Sequence, residues 1–237
     1  MANSWFNFKQ FSVAQENAAF KVGTDSCLLA SWIDLGQVNS ILDVGTGSGV
    51  IALMLAQRSN AKIIGIDSDA QSSNQAQCNF ERSPWSDRMH SIHQSLESFT
   101  DSTTKVFDLI VSNPPYFVRS TKNYNHQVTN ARHEGNLTLE SLFQHSKKML
   151  TKNGRLALVL PHDRYDDLLH AASENQFNLQ KSLFIRPYAE KAFNRVIVTL
   201  SKSTTTTPTS TEMHLYQEIN QYSSEAIQLL KPYYLYL

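Results

Sequence analysis

The sequence predicts an α/β protein whose core is a mostly parallel, doubly wound sheet. Short β-branched runs alternate with segments of helical composition, which is the element order of this fold class. A glycine-rich turn follows the first clear strand, and a double proline closes a later one. Both breaks stand at strand ends, where open α/β sheets bind their ligands.

Length and composition are those of an ordinary globular protein. The 237 residues suffice for one large α/β domain, and the formal net charge of zero does not indicate a nucleic-acid partner, although a local basic face is compatible with it. Cys27 and Cys78 are too few for a disulfide framework or a metal cluster, so we expect no metal. Because no secretory signal or membrane-length apolar run is present, we expect a cytoplasmic protein with no membrane partner.

The amino-terminal segment predicts a short strand or hairpin arm followed by a helix. Residues 5–11 alternate apolar and polar side chains, a pattern typical of a strand. Thr24 is the expected N-cap of a helix that carries Leu28, Leu29 and Trp32 on one face.

The next segment has the order strand, glycine turn, helix. The strand covers residues 40–44 and the helix residues 50–56, with Gly45, Gly47 and Gly49 between them. Glycine permits positive φ and lets a ligand approach the backbone closely. The spacing is G-x-G-x-G rather than that of dinucleotide sites, and the Lys-Ser/Thr pair of a P-loop is missing. The segment therefore predicts half of a mononucleotide-binding unit.

Asp67 ends the second predicted strand, residues 62–66, and lies 18 positions after Gly49. A carboxylate at this place in α/β folds accepts hydrogen bonds from both ribose hydroxyls and repels a 2′-phosphate. A plain turn residue is the alternative, but the glycine turn upstream favours a ligand. Residues 68–70 are the expected cap of the next helix.

The strand at residues 107–111 runs into Asn113, Pro114, Pro115 and Tyr116. Two prolines end a strand abruptly because neither donates a backbone N–H. The Asn113 amide oxygen and the Pro114 carbonyl offer two acceptors, which suits the two donors of a planar NH₂ group. The Tyr116 ring can stack on a flat base. By itself this segment is either an amine-binding site or only a strand cap.

The remaining pattern completes the expected fold. Residues 118–136 are polar, basic and aperiodic, as in a functional loop or a disordered insertion. We expect a helix over 139–150 that is ended by the C-cap signal Asn153–Gly154. Closing strands are expected at 179–185 and 195–200, followed by a polar loop at 204–211. The aromatic end of the chain is expected to pack on the protein. We expect one domain over 1–237: a lead-in strand and helix (1–38), a cofactor-binding and catalytic core (39–200) and a C-terminal extension (201–237).

Together, residues 42–49, Asp67 and residues 113–116 resemble the class I S-adenosylmethionine-dependent methyltransferases that modify exocyclic or amide nitrogens. Over nearly its whole length, the chain also resembles the bacterial family that methylates N6 of adenine 37 in valine tRNA. The further matching segments are Phe8–Phe11, Lys21–Asp25, Ala131–Arg132 and Tyr222–Ala226. The resemblance implies a Rossmann-like, seven-stranded sheet with an antiparallel last pair, and methyl transfer to N6 of a tRNA adenine. It also implies S-adenosylmethionine as donor, S-adenosylhomocysteine as product, tRNA as partner and no obligate protein partner.

The resemblance also implies roles for individual residues. Six would bind the cofactor: Asp43, Gly45, Gly47, Gly49, Asp67 and Leu96. The glycines would cradle its methionine part, Asp43 would orient the turn, Asp67 would bind the ribose and Leu96 would pack near the adenine. Ser95 stands where the family often has an acidic residue, so a hydroxyl or backbone group would have to contact the adenine amino group.

On the substrate side, Asn113 and Pro114 would hold the target amine and Tyr116 would stack on the base. Four basic residues could contact RNA phosphates: Lys21, Arg119, Lys122 and Arg132. Such contacts position RNA without reading its sequence. An unpaired loop adenine is easily turned into a pocket.

Three other functions remain open from the sequence. A protein glutamine-N5 methyltransferase usually carries an added N-terminal helical domain, which the 39 residues before the first core strand cannot form. A DNA or ribosomal-RNA adenine methyltransferase would use the same amine-binding residues, although DNA enzymes usually need a target-recognition domain. The third alternative is a non-catalytic nucleotide- or RNA-binding module, which has no need for amine-binding residues.

Overall fold

Strands and helices alternate along the chain in a computed structural model that describes residues 4–16, 18, 20–114, 137–203 and 207–237. The strands are β1 (Trp5–Asn7), β2 (Ser12–Ala14), β3 (Ser40–Val44), β4 (Lys62–Asp67), β5 (Met89–His93), β6 (Phe107–Ser112), β7 (Leu150–Pro161), β8 (Asn178–Arg186), β9 (Arg195–Ser201), β10 (Thr209–His214), β11 (Tyr216–Glu218) and β12 (Gln221–Tyr222). The helices are α1 (Thr24–Trp32), α2 (Val50–Arg58), α3 (Ala70–Glu81), α4 (Leu96–Ser102), α5 (Leu139–Met149), α6 (Tyr165–Glu174) and α7 (Ser224–Leu230).

The central sheet has the strand order β10-β8-β9-β7-β6-β3-β4-β5. Only β9 runs against its two neighbours, β7 and β8, within the part of the sheet that the structure describes. The mostly parallel sheet and the antiparallel β8/β9 pair are confirmed. An eighth strand, β10, adds to the seven expected, because residues 209–214 pair in parallel with β8. The expected polar loop was therefore too long, and the C-terminal extension contributes to the same sheet.

The sheet is buried on both faces, which explains why the sequences of its central strands are continuous apolar runs. Successive side chains point to opposite faces: Leu109 and Val111 pack in one apolar cluster, and Ile110 packs in the other. Helices α1, α2, α3 and α7 contribute to the first cluster, together with β2. Helices α4, α5 and α6 contribute to the second. The result is a three-layer structure with helices on both sides.

The two ends of the chain meet beside the first cluster. β1 and β2 form an antiparallel hairpin, and Phe8 forms a β-bridge with Tyr234. The Lys9 N–H donates a hydrogen bond to the Tyr233 carbonyl at 2.8 Å. Tyr233 is buried, whereas Tyr236 is exposed. The prediction of a packed aromatic end is therefore confirmed for its first half only.

Two predicted helix boundaries were wrong. Gly23, rather than Thr24, is the N-cap of α1, and no side chain caps this helix. Helix α5 ends at Met149, and β7 begins at the next residue. Gly154 lies inside that strand, where a Cβ would come within 2.9 Å of the Phe107 carbonyl oxygen. Close packing, and not a helix C-cap, therefore accounts for this glycine.

Candidate active site

The predicted site residues that the structure describes lie at the carboxyl edge of the sheet, where the strand order reverses. β3 has β4 on one side and β6 on the other. The glycine turn follows β3, Asp67 ends β4, and Asn113 follows β6. Parallel strands end at the same edge, so these three groups occupy neighbouring positions. This reversal is the topological switch point at which open α/β sheets bind ligands.

The glycine turn uses its three glycines in different ways. Gly45, Gly47 and Gly49 have φ of 71°, 56° and 81°, a region that side chains with a Cβ adopt only with strain. A Cβ on Gly45 or Gly47 would meet no atom within 4 Å, whereas one on Gly49 would lie 2.5 Å from Phe80 Cε1. The first two glycines therefore leave open space beside the turn, and the third permits close packing of α3.

Backbone hydrogen bonds hold this turn against β4. The N–H groups of Gly45 and Thr46 both donate to the Ile66 carbonyl, at 2.9 and 3.0 Å. Gly47 N–H donates to Asp67 Oδ2 at 2.8 Å, and Asp69 N–H donates to Asp67 Oδ1 at 2.9 Å. A carboxylate oxygen has two lone pairs, so both Asp67 oxygens can still accept a hydrogen bond from a ligand hydroxyl.

Asp43 lies completely buried beneath the turn. The Thr46 hydroxyl donates to its Oδ2 at 2.7 Å, while Oδ1 has no hydrogen-bond partner among the described residues. Burial raises the pKa of Asp43 to about 7, against the lowering effect of the Thr46 hydroxyl and of the Ala52 backbone. Gly65 makes room for Thr46, because a Cβ there would lie 2.7 Å from the Thr46 hydroxyl oxygen.

The residues around the turn fit S-adenosylmethionine. Helix α2 begins after Gly49 with no side-chain cap, and its free N–H groups and dipole suit the carboxylate of a methionine group. Asp67 offers acceptors for ribose hydroxyls. Asp43, buried below, supports the turn through the Thr46 hydroxyl.

The adenine side of the predicted site begins after β5. Leu96 is the first residue of α4 and is buried against the same apolar cluster as Ile66 and Phe99. Ser95 is the N-cap of α4, and its hydroxyl accepts a hydrogen bond from Ser98 N–H at 3.2 Å. The Ser95 side chain therefore has a structural role in capping this helix.

Asn113 and Pro114 stand where β6 ends. Ser112 is fully buried and its hydroxyl donates to the Val44 carbonyl at 2.7 Å, which ties β6 to β3. The Asn113 amide Nδ2 donates to Ser26 Oγ of α1 at 2.9 Å. Its Oδ1 has no hydrogen-bond partner among the described residues and so can accept a hydrogen bond from a ligand. Tyr116, Arg119, Lys122 and Arg132 lie outside the described residues, so the structure does not place them.

Four residues that position this site were missed from the sequence: Ser26, Thr46, Gly65 and Asn79. Asn79 of α3 is buried, and its Nδ2 donates to the carbonyls of Ala14 and Ser48, each at 2.8 Å. An asparagine on the buried face of a helix is a signal that could have been noticed, since buried amides need partners. The spacing of Ser26 to Asn113 offers no comparable signal.

Among the described residues, no group of acidic, histidine or cysteine side chains could hold a metal ion. In the same part of the chain, no helix is long and apolar enough to cross a membrane.

Fold and site together define a class I methyltransferase, whose methyl donor is S-adenosylmethionine. Residues 10–182 match the methyltransferase small domain family, and the chain belongs to that family.

Curated relatives match the chain over nearly its full length. A protein of Parabacteroides distasonis named tRNA1(Val) (adenine(37)-N6)-methyltransferase is 39% identical over 235 residues, which are 99% of each chain. The protein of this name from Trichodesmium erythraeum is also 39% identical, again over 99% of both chains. That of Yersinia enterocolitica is 36% identical over 97% of this chain and 92% of its own.

Solved structures share the fold at low sequence identity. A predicted O-methyltransferase of Agrobacterium tumefaciens is 17% identical and superposes with a TM-score of 0.70, covering 88% of this chain and 96% of its own. The ribosomal protein L11 methylase of Lactobacillus delbrueckii subsp. bulgaricus is 18% identical, with a TM-score of 0.53 over 75% and 76% of the two chains. These likenesses confirm the class I methyltransferase fold.

Proposed function

We propose that this protein transfers the methyl group of S-adenosylmethionine to N6 of adenine 37 in valine tRNA. The observation that carries the proposal is the position of Asn113 and Pro114 at the end of β6, beside the glycine turn that follows β3. The printed names of the full-length relatives support the choice of tRNA and of this adenine.

Asn113 and Pro114 would act as acceptors for the target amine. The Asn113 Oδ1 atom and the Pro114 carbonyl oxygen can each accept one N–H of an exocyclic NH₂ group. Accepting a hydrogen bond from each N–H raises the electron density on nitrogen and turns its lone pair toward the methyl donor. As the N–CH₃ bond forms, the sulfonium S–CH₃ bond breaks and leaves neutral S-adenosylhomocysteine, and the nitrogen gives up one proton to water. No strong general base is required, because a sulfonium methyl is an activated electrophile. Most of the rate would then come from in-line positioning and electrostatic stabilisation.

On the donor side, Asp67 would accept hydrogen bonds from the ribose hydroxyls. Gly45, Gly47 and Gly49 would leave room for the methionine part, and Asp43 would orient their turn through Thr46. Leu96 would pack near the adenine.

On the RNA side, the proposal includes residues outside the described ranges. Tyr116 would stack on the target base, and Arg119, Lys122 and Arg132 would contact phosphates. We further propose that residues 1–237 form one domain that acts in the cytoplasm without an obligate protein partner.

The direct test is methyl transfer to valine tRNA. The purified protein, labelled S-adenosylmethionine and an unmodified valine tRNA transcript should yield N6-methyladenosine, identified by mass spectrometry of the nucleosides. A matched transcript with guanosine at position 37 should remain unlabelled. In a deletion strain, valine tRNA should lose this nucleoside and regain it on complementation.

Absence of N6-methyladenosine with the intact protein would contradict the proposal. Labelling of another RNA or DNA adenine, or of a protein glutamine, would keep the methyltransferase chemistry but replace the substrate.

A further inference from the structure

We propose that Ser26 is a positioning residue that fixes the position and plane of the Asn113 amide at the end of β6. Ser26 lies in the first turn of α1, and its Oγ accepts a hydrogen bond from Asn113 Nδ2 at 2.9 Å. The two residues are 87 positions apart in the sequence. This inference rests on the proposed methyl transfer, because it concerns the residue that would hold the target amine.

An asparagine amide has one end that accepts hydrogen bonds and one that only donates them. In the orientation observed, Nδ2 donates one N–H to Ser26, and Oδ1 has no partner within the described part of the chain. If the amide turned over, its NH₂ group would face the NH₂ group of the target, and two donors would oppose each other. Because a hydroxyl both donates and accepts, Ser26 fixes the position and plane of the amide. The NH₂ group of the target then favours the orientation in which Oδ1 faces it.

The first turn of α1 is well fixed, so Ser26 can act as a rigid support. Asp25, the preceding residue, forms an ion pair with Arg195 of β9 at 2.8 Å. The following residues, Cys27 and Leu28, are buried in the apolar cluster that covers this face of the sheet. Ser26 therefore lies on a well-packed helix, beside the end of the strand that leads to Asn113.

The experiment compares Ser26→Thr with Ser26→Val, two side chains of nearly equal shape that differ by one hydroxyl. Ser31→Ala is the matched control, since Ser31 lies on the same helix and its hydroxyl donates to the Cys27 carbonyl. We expect Ser26→Val to lower kcat about tenfold to a hundredfold, because misplacing a reacting group has effects of this size. KM for tRNA and the Kd of S-adenosylhomocysteine should stay within about threefold. Ser26→Thr and Ser31→Ala should retain most of the activity.

A second measurement does not depend on substrate. In protein labelled with ¹⁵N-asparagine, the Asn113 side-chain resonances are assigned by their loss in Asn113→Asp. In Ser26→Val these amide protons should shift upfield and exchange faster with water, whereas Ser26→Thr and Ser31→Ala should leave them nearly unchanged.

The outcomes separate this inference from the proposed function. A wild-type protein that does not modify tRNA would overturn the function, while the resonance comparison would still decide whether Ser26 holds the amide. The role of Ser26 would be overturned if the Thr and Val variants had equal kcat. It would also be overturned if the Asn113 resonances were the same with and without the Ser26 hydroxyl. A loss of kcat shared by Ser31→Ala would show a general effect of helix α1 and would overturn it as well.

Discussion

At the scale of residues, the site depends on side chains that are held by a partner at one end and free at the other. Asn113 donates to Ser26 through its nitrogen, and its oxygen has no partner in the part of the chain that the structure describes. Asp43 accepts from Thr46 through one oxygen, and the other has no partner among the described residues. Unused acceptors of this kind are expected where a ligand completes the hydrogen bonding.

Asn113→Ala should abolish most of the methyl transfer and spare cofactor binding. The substitution removes one of two acceptors for the amine, and losing a single group that stabilises a transition state costs about a hundredfold or more. The affinity for S-adenosylhomocysteine, measured by calorimetry, should change by less than about threefold, because the glycine turn and Asp67 are untouched. Activity equal to wild type would exclude the amine-holding role.

Asp43→Asn should change how stability depends on pH. The folded-state pKa of Asp43 is raised from 3.8 to about 7, so the folded protein binds more protons than the unfolded chain between these values. Stability due to this group therefore falls as pH rises from about 4 to about 7 and is level above that. The asparagine variant lacks this slope, and the two profiles should diverge by on the order of a few kcal/mol.

Urea unfolding of both proteins across this pH range measures the difference. A constant offset between the two profiles would reflect packing alone, so only their divergence counts. Parallel profiles would mean that Asp43 titrates alike in the folded and unfolded states.

At the scale of elements, Asn79 joins three parts of the structure. Its amide accepts from the Ala14 N–H at 2.9 Å and donates to the carbonyls of Ala14 and Ser48. Helix α3 is thereby linked both to the amino-terminal hairpin and to the glycine turn. Because the amide is buried, these hydrogen bonds are protected from water and define the position of the turn.

Asn79→Ala should destabilise the protein by about 2–4 kcal/mol, because it leaves buried backbone groups of Ala14 and Ser48 without partners. It should also weaken binding of S-adenosylhomocysteine, since the glycine turn loses a support. Asn74→Ala is the matched control, on the exposed side of the same helix, and should change stability by less than about 0.5 kcal/mol. Chemical unfolding and calorimetry measure the two effects, and equal stability of the two variants would contradict the assigned role.

At the scale of the whole molecule, the described amino-terminal and carboxyl-terminal segments pack together. Tyr233 is 1% exposed and belongs to the apolar cluster of α1 and α2. The Gln57 side chain of α2 donates to the Pro232 carbonyl at 3.0 Å, and Lys9 of the amino-terminal segment donates to the Tyr233 carbonyl. The carboxyl end therefore helps to cover the face of the sheet on which α2 lies.

Tyr233→Ala should destabilise the whole protein in one step, by about 3–5 kcal/mol, as expected for removing a large buried ring. Tyr233→Phe keeps the ring and should lose much less of the free energy of unfolding. If residues 1–237 form one domain, unfolding followed by far- and near-ultraviolet circular dichroism should give coincident transitions for both variants. Separate transitions would contradict the single-domain proposal.

The sequence by itself determined the parts that depend on neighbouring residues. Apolar runs located most of the central strands, and glycine and proline marked where β3 and β6 end, because backbone conformation is limited locally by these residues. Asp67 could be predicted from its distance to the glycine turn, and the Asp69 cap of α3 from residue type. The order of glycine turn, acidic residue and Asn-Pro-Pro-Tyr segment was enough to indicate the class of enzyme.

Only the tertiary structure decided which distant residues meet. Ser26 contacts Asn113 across 87 positions, and Asn79 contacts Ala14 across 65. The pairing of β10 with β8 and the close packing at Gly154 likewise join segments that sequence patterns describe separately. Such contacts follow from the order of strands and the packing of layers, which local periodicity does not encode. Local sequence patterns therefore indicate which chemical groups the site contains, whereas packing between distant segments determines how those groups are oriented.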